Sequence, residues 1–123
     1  MFYILTGIVF NFLSVCLGAF GAHFLKKRLT EYEFTIFHTG VEYQIFHGLA
    51  LILIGILSLQ TNLPKPELKI AALCTTFGII LFSGSLYGLA LIKAKWLGAI
   101  TPIGGLLFLA SWFMLGLAVY KNL

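Results

Sequence analysis

Four uncharged runs of hydrophobic residues occupy most of the chain, and short polar segments separate them. Each run is at least as long as the roughly 20 apolar residues that a helix needs to cross the hydrocarbon core of a bilayer. The pattern therefore predicts an all-α protein, an integral membrane bundle of four transmembrane helices in a single domain, residues 1–123. We expect the spans at about 2–22, 43–62, 70–92 and 97–120.

The polar segment between the first two runs has a pattern of its own. Thr30 and Glu33 have the spacing of a capping box, which starts a helix. Beyond them, apolar residues recur on one helical face: Phe34, Phe37, Val41 and Ile45. Polar residues follow the neighbouring face: Glu31, Thr35, His38 and Glu42. The segment predicts a short amphipathic interfacial helix between helices one and two, which lies along the membrane surface before the chain turns into the second span.

Composition places the chain among membrane proteins. It is 60% hydrophobic and only 10% charged, which is far outside the range of soluble domains. The first run predicts a retained span rather than a cleaved signal peptide, because a signal peptide begins with a positive region and no Lys or Arg precedes Lys26.

Small residues at four-residue spacing mark candidate helix contacts, because they let membrane helices approach closely. Such ridges occur in the first, third and fourth spans: Ser14, Gly18 and Ala22; Gly84 and Gly88; Thr101 and Gly105. These spacings also arise by chance in a chain with so many small residues. We expect them to mark helix contacts within one chain rather than the interface of a homodimer.

The distribution of Lys and Arg predicts the orientation. Five basic residues follow the first and third spans: Lys26, Lys27, Arg28, Lys93 and Lys95. Three lie on the opposite side: Lys65, Lys69 and Lys121. Because basic residues favour the cytoplasmic side, we expect the larger group to face the cytoplasm and both termini to be non-cytoplasmic. Anionic lipid headgroups in contact with Lys26, Lys27 and Arg28 explain the net charge of +4 without a nucleic-acid partner.

Uncommon polar residues gather at one depth of the predicted bundle. Spans one and three end on the side where spans two and four begin, so a rise of ~1.5 Å per residue converts sequence position into depth. One leaflet then holds a candidate polar vestibule: His23, Tyr43, Gln44, His47, Ser83, Ser85, Tyr87 and Thr101. Polar groups at membrane depth usually face the bundle interior or water. The alternative is that the hydroxyls bond the backbone or each other between helices, while His23 and His47 lie at the headgroup boundary.

The spacing of the histidines and acids does not match a metal site or a catalytic motif. His38 and His47 fall on opposite faces of a continuous helix, so one ion could take both only if the helix broke near Gly40. His23 and His47 are an easier pair, but no third ligand stands at a suitable spacing. His38 is expected to pair with Glu42 at i, i+4. The chain has no Asp and no nucleophile-elbow or phosphate-loop motif, so we expect no metal, no cofactor and no catalytic residue.

Four strings in the sequence look like the motifs of a known family. They are residues 17–23 (LGAFGAH), 39–47 (TGVEYQIFH), 82–87 (FSGSLY) and 98–105 (GAITPIGG). These strings resemble, in the same order, those of the YgdD-like family of small bacterial inner-membrane proteins. The resemblance implies a four-span protein of the bacterial inner membrane. The family has no established biochemical activity, so no catalytic or ligand role is carried over.

Three functions remain open on the sequence alone. The favoured one is a multi-pass membrane protein that is not an enzyme and acts through contacts with membrane lipids, a second copy or another membrane protein. The second is a small-solute or ion carrier that uses the polar vestibule in the cytoplasmic leaflet, although the other leaflet offers no matching polar path. The third is a metal or haem protein that uses His23 and His47.

Overall fold

The computed structural model describes residues 1–60 and 62–123, which form helices joined by short connections. Four helices are long and apolar enough to cross a membrane: α1 (Phe2–Leu25), α2 (Glu31–Ser58), α3 (Lys65–Leu91) and α4 (Thr101–Tyr120). A short 3₁₀ helix, Lys95–Ala99, precedes α4. The all-α fold class and the presence of four helices able to span a membrane, predicted from the hydrophobic runs, are confirmed.

The helices pack in the order in which they occur in the chain. The main contacts are α1 with α2, α2 with α3, and α3 with α4. The central helices α2 and α3 are therefore the most buried, and α1 is the most exposed to lipid. Polar side chains of the interior are consequently held mainly by α2 and α3.

The start of α2 differs from the interfacial helix that the sequence predicts. The capping box forms as expected, with the Glu33 amide donating to Thr30 Oγ1 at 3.1 Å and the Thr30 amide donating to Glu33 Oε1 at 3.0 Å. However, the helix does not turn at the membrane surface but continues without a break to its end. The reason is tertiary, because Phe37 and Val41 are buried with Ala90 of α3 instead of lying in lipid. Residues 31–42 are thus the first three turns of the second span, and not a separate interfacial helix.

The first span also departs from a regular α-helix. Its stretch Cys16–Gly21 is π-helical, and the α-helix resumes at Ala22 and continues to Leu25. A Cβ at Gly18, inside this stretch, would lie 3.2 Å from Cγ1 of Val41 in α2. The glycine therefore allows the widened turn to approach α2, and the sequence alone gave no signal of the π-helix.

The closest contacts between the backbones of neighbouring helices occur at glycines outside the predicted ridges. A Cβ at Gly7 would lie 2.6 Å from the carbonyl oxygen of Gly48, so the backbones of α1 and α2 touch there. A Cβ at Gly104 would lie 2.4 Å from the backbone nitrogen of Phe82, so α3 and α4 also touch directly. In the predicted ridge of α3, Gly88 does contact a neighbouring element, since a Cβ there would lie 2.4 Å from Cδ1 of Leu97. The predicted contact at Gly84 is wrong, since a Cβ there would meet no described atom within 4 Å. Gly84 instead faces a groove at the side of the bundle.

Candidate functional site

Gln44 connects three helices through its side-chain amide. It is buried in α2, and its Nε2–H donates to the carbonyl oxygen of Phe10 in α1 at 2.8 Å. Its Oε1 accepts from the Tyr87 hydroxyl of α3 at 2.7 Å. The carbonyl of Phe10 can only accept, so the partners also fix which way the amide faces. Two of the predicted vestibule residues, Gln44 and Tyr87, therefore come together in one hydrogen-bonded bridge.

The predicted serines lie between helices and not around an open space. Ser83 is fully buried, and its hydroxyl donates to the carbonyl oxygen of Gly40 in α2 at 2.6 Å. Ser85 donates to the Phe82 carbonyl at 2.8 Å, which leaves its oxygen to accept from Thr101 of α4 at 2.5 Å. These contacts match the alternative in which hydroxyls join neighbouring membrane helices.

His47 is buried in α2 beneath aromatic rings of α4. Its ring stacks on Phe108 with a centroid distance of 3.6 Å and an interplanar angle of 13°. Its Nδ1 lies 2.8 Å from the carbonyl oxygen of Tyr43, and its Nε2 lies 3.1 Å from the indole nitrogen of Trp112. Both ring nitrogens are thus engaged by the protein, one within α2 and one across to α4.

The two partners of His47 decide its protonation state. An indole N–H can only donate, so Nε2 of His47 must accept from Trp112 and carry no proton. A carbonyl oxygen can only accept, so Nδ1 must carry the proton that it donates to Tyr43. The structure therefore assigns the neutral Nδ1–H tautomer. An imidazolium at this position would direct its Nε2–H at the Trp112 N–H, and one of the two bonds would be lost.

Nitrogen NMR on protein labelled at histidine tests this assignment. We expect the His47 resonances to show a protonated Nδ1 and an unprotonated Nε2. Replacing the donor by Trp112→Phe should shift the Nε2 resonance, whereas Trp96→Phe, at an exposed position before α4, should leave it unchanged. A proton found on Nε2 in the parent protein would contradict the assignment.

Two lateral grooves divide the predicted vestibule residues between them. Gln44 and Tyr87 line a groove of about 380 Å³ to which α1, α2 and α3 contribute. Tyr43 and His47 line a second groove of about 560 Å³, formed between α2 and α4. The walls of both are mainly apolar, and Ser83 lines neither. The predicted set therefore does not surround one common chamber in the part of the chain that the structure describes.

His23 lies apart from the other predicted residues. It is exposed near the end of α1, and its ring contacts Phe24 at a centroid distance of 5.8 Å. Nearby Gly21 lies at the level of Phe37, because a Cβ there would be 3.6 Å from the Phe37 ring. His47 is ten residues further along α2, roughly 15 Å by helical rise. The expectation that His23 and His47 make an easier ligand pair is corrected, since they lie at different depths.

Several polar contacts of the interior were missed in the sequence. Thr75 of α3 and Ser111 of α4 are buried with their hydroxyl oxygens 2.5 Å apart, close to the depth of His47, whose partner Trp112 directly follows Ser111 in α4. Trp112 was not recognised as the partner of His47. Spacing within one helix could not reveal either pair, because each depends on how two helices are rotated against each other.

The end of the bundle where α1 and α3 stop carries the larger group of basic residues. Lys93 pairs there with Glu33, with Nζ and Oε2 3.4 Å apart, and its backbone has a positive φ of 62°. The remaining members are exposed, and within residues 1–60 and 62–123 they form no ion pair: Lys26, Lys27, Arg28 and Lys95. We call these four residues the basic collar.

The basic residues at the other end have partners in the protein. Lys65 donates to the carbonyl oxygens of Ser58 and Gln60 at the end of α2, and so caps that helix. Lys121 pairs with Glu67 and ties the end of α4 to the start of α3. The predicted pair of His38 and Glu42 also forms, with Nε2 and Oε1 3.2 Å apart on the outer face of α2.

Comparison with known proteins identifies the family. A family model described as "Protein of unknown function (DUF423)" matches residues 17–105, a range that contains every predicted vestibule residue and the basic collar. The chain is 44% identical over 119 residues to a UPF0382 membrane protein of Staphylococcus haemolyticus, with 97% of this chain and 95% of the relative covered. It is 39% identical over 121 residues to the UPF0382 membrane protein YwdK of Bacillus subtilis, with 98% of each covered. No solved structure matches the chain.

These similarities and the four helices agree on a membrane protein. The similarity extends over nearly the full length of the relatives, so it is not limited to one motif. The resemblance seen in the four strings is confirmed at the level of this family, whose relatives carry the name UPF0382 and not YgdD. The chain is a multi-pass membrane protein that belongs to the DUF423 family, the UPF0382 membrane proteins of unknown function.

Proposed function

We propose that this protein is not an enzyme and acts through contacts, with the basic collar binding the anionic headgroups of membrane lipids. The observation that carries the proposal is the difference between the two ends of the bundle. In the part of the chain that the structure describes, the four exposed cations of the collar form no ion pair, whereas Lys65 and Lys121 at the other end already bind groups of the protein. Basic residues beside a membrane attract anionic lipids by about 1 kcal/mol each.

The same difference supports an orientation. Five basic residues against three favour the collar side as cytoplasmic. Within residues 1–60 and 62–123, four basic residues on the collar side have no protein partner, against one, Lys69, on the other side. Lys and Arg near the ends of spans are retained on the cytoplasmic side. We therefore infer that the protein lies in the bacterial inner membrane with the collar inside and both termini outside. The order of the four motif strings supports the narrower YgdD-like grouping.

The buried polar groups support a role without catalysis. In the described residues, no buried side-chain nitrogen or oxygen lacks a hydrogen-bond partner in the protein. His47 and Gln44 use both of their polar atoms in bonds between or within helices. Among residues 1–60 and 62–123, a buried side chain would thus have to break a structural bond before it could act as a general base or nucleophile.

Lipid co-purification tests the collar. The triple variant Lys26→Gln, Lys27→Gln, Arg28→Gln should retain several-fold less phosphatidylglycerol or cardiolipin after purification, and the loss should be largest at low salt because mobile ions screen these contacts. Lys69→Gln removes an exposed cation at the other end and should leave retention unchanged. Equal retention by the triple variant and its parent would overturn the proposal.

Labelling of single-cysteine variants tests the orientation. In a background without Cys16 and Cys74, a membrane-impermeant thiol reagent applied to whole spheroplasts should label Asn122→Cys and spare Lys27→Cys. Lys27→Cys should react once the membrane is opened. The reverse order of labelling would place the collar outside and would contradict the inferred orientation.

A further inference from the structure

One carboxylate of this protein faces outwards at the level of the spans. The side chain of Glu42 is 50% exposed, and it pairs with His38, whose side chain is 57% exposed. The other three acids lie at the ends of helices: Glu31 and Glu33 in the first turn of α2, and Glu67 beside Lys121. Glu42 is therefore the acid whose position in the membrane needs an explanation.

Contacts between α2 and α3 give the depth of Glu42. The Ser83 hydroxyl bonds the Gly40 carbonyl, so Glu42, two residues further along α2, lies close to the level of Ser83 in the antiparallel helix. Exposed Lys69 lies 14 residues before Ser83, which is roughly 21 Å along α3. A hydrocarbon core of about 30 Å that begins at Lys69 therefore extends about 9 Å beyond Ser83, towards the basic collar. If the Lys69 ammonium extends outwards by ~5 Å to reach the headgroups, the whole core shifts by that distance towards the Lys69 end. The level of Ser83, and with it Glu42, then still lies inside the core.

Lipid acyl chains offer no hydrogen-bond partner to the exposed His38 and Glu42 side chains. Other exposed positions on the spans, such as Phe12 on α1 and Phe46 on α2, are apolar and lose nothing against acyl chains. A carboxylate and an imidazole are different, because ionisable groups at membrane depth almost always face a polar partner or water. His38 supplies one partner for Glu42, but half of each side chain remains uncovered.

We propose that a second copy of this chain covers this face of α2, and that His38 and Glu42 of both copies form a closed polar ring within the membrane. Two copies with the same orientation are related by a twofold axis along the membrane normal, so their α2 helices run parallel and each residue faces its counterpart. His38 and Glu42 are one helical turn apart, so each carboxylate lies within reach of its own imidazole and of the partner's.

The rest of this face fits the same arrangement. After Glu42 along α2, exposed apolar residues follow on the same helical face at three- and four-residue spacing: Phe46, Leu49 and Leu53. They would pack against their counterparts in the second copy. A different membrane protein would have to bring its own donor to the depth of Glu42, whereas a second copy carries His38 there already.

Cysteine cross-linking in membranes tests the face directly. In a background without Cys16 and Cys74, Phe46→Cys should form a disulfide-linked dimer under mild oxidation, because residues on the axis of a parallel helix pair come within disulfide distance. Phe12→Cys is the matched control, a similarly exposed phenylalanine on α1. A monomeric Phe46→Cys, or equal cross-linking of Phe12→Cys, would overturn the proposal.

Co-capture of two differently tagged copies tests the polar ring. The double variant His38→Gln, Glu42→Gln should reduce co-capture roughly tenfold, whereas Glu31→Gln, an exposed acid at the start of the same helix, should not. Thermal unfolding of each variant checks that the fold is kept, and cross-linking at position 46 remains informative if the double variant does not fold. Undiminished co-capture of a folded double variant would show that the ring does not hold the copies together.

Discussion

Gly104→Ala is expected to lower the free energy of unfolding by about 1–3 kcal/mol, the usual cost of overpacking a well-packed interior. A Cβ at this position would lie 2.4 Å from the backbone nitrogen and 2.7 Å from the Cα of Phe82. Backbone atoms cannot swing aside as a long side chain can, so α3 and α4 must separate. Separation would also stretch the bond between Ser85 and Thr101, which joins the same two helices at 2.5 Å.

The neighbouring glycine provides a matched control. A Cβ at Gly105 would lie 3.9 Å from the nearest ring atom of Phe82, which is an ordinary van der Waals contact. Gly105→Ala should therefore leave stability unchanged or raise it slightly, because alanine restricts the unfolded chain more than glycine does. Unfolding by sodium dodecyl sulfate in mixed micelles measures both variants. Similar losses for the two would show that α3 and α4 do not touch at Gly104.

Gln44→Leu is expected to destabilise the protein by about 1–3 kcal/mol, because a buried polar group left without its partner costs that much. Leucine keeps most of the volume but leaves the Tyr87 hydroxyl without its acceptor. It also removes the bond to the Phe10 carbonyl, which then keeps only the Ser14 hydroxyl among its side-chain partners. Since α1 packs mainly on α2, α1 should be the first helix to loosen.

A double-mutant cycle with Tyr87→Phe separates the bridge from general packing. When both polar partners are removed, neither is left unsatisfied, so Gln44→Leu with Tyr87→Phe should cost less than the two single changes added together. Coupling energies between helices in membranes average about 0.6 kcal/mol and reach about 1.7 kcal/mol. The same detergent unfolding measures the cycle. Strict additivity would show that Gln44 and Tyr87 do not interact.

The sequence predicted the polar residues better than it predicted their partners. It singled out Gln44, His47 and Tyr87 because polar groups are uncommon at membrane depth. It did not find Trp112, whose indole is long enough to reach His47 across the gap between α2 and α4. The sequence shows which residues are polar, but it does not show the distance between two helices.

The small-residue ridges show the same limit. Gly84 has the expected spacing and faces a groove, whereas Gly7 and Gly104, outside the predicted ridges, touch another backbone. Spacing places small residues on one face of a helix, but rotation of the helix decides what that face meets. The family match adds no contact of this kind, because it establishes membership and not packing.

The sequence by itself determined the number of spans, the start of a helix at the capping box and the pair of His38 with Glu42. Each of these depends on local properties: the length of an apolar run, a three-residue spacing or one turn of a helix. Only the tertiary structure decided that residues 31–42 continue into the second span, that the vestibule residues do not share one chamber, and that both ring nitrogens of His47 are engaged, one by Tyr43 and one by Trp112. These features depend on contacts between helices that lie far apart in the chain, and no local pattern specifies how two helices are rotated and spaced.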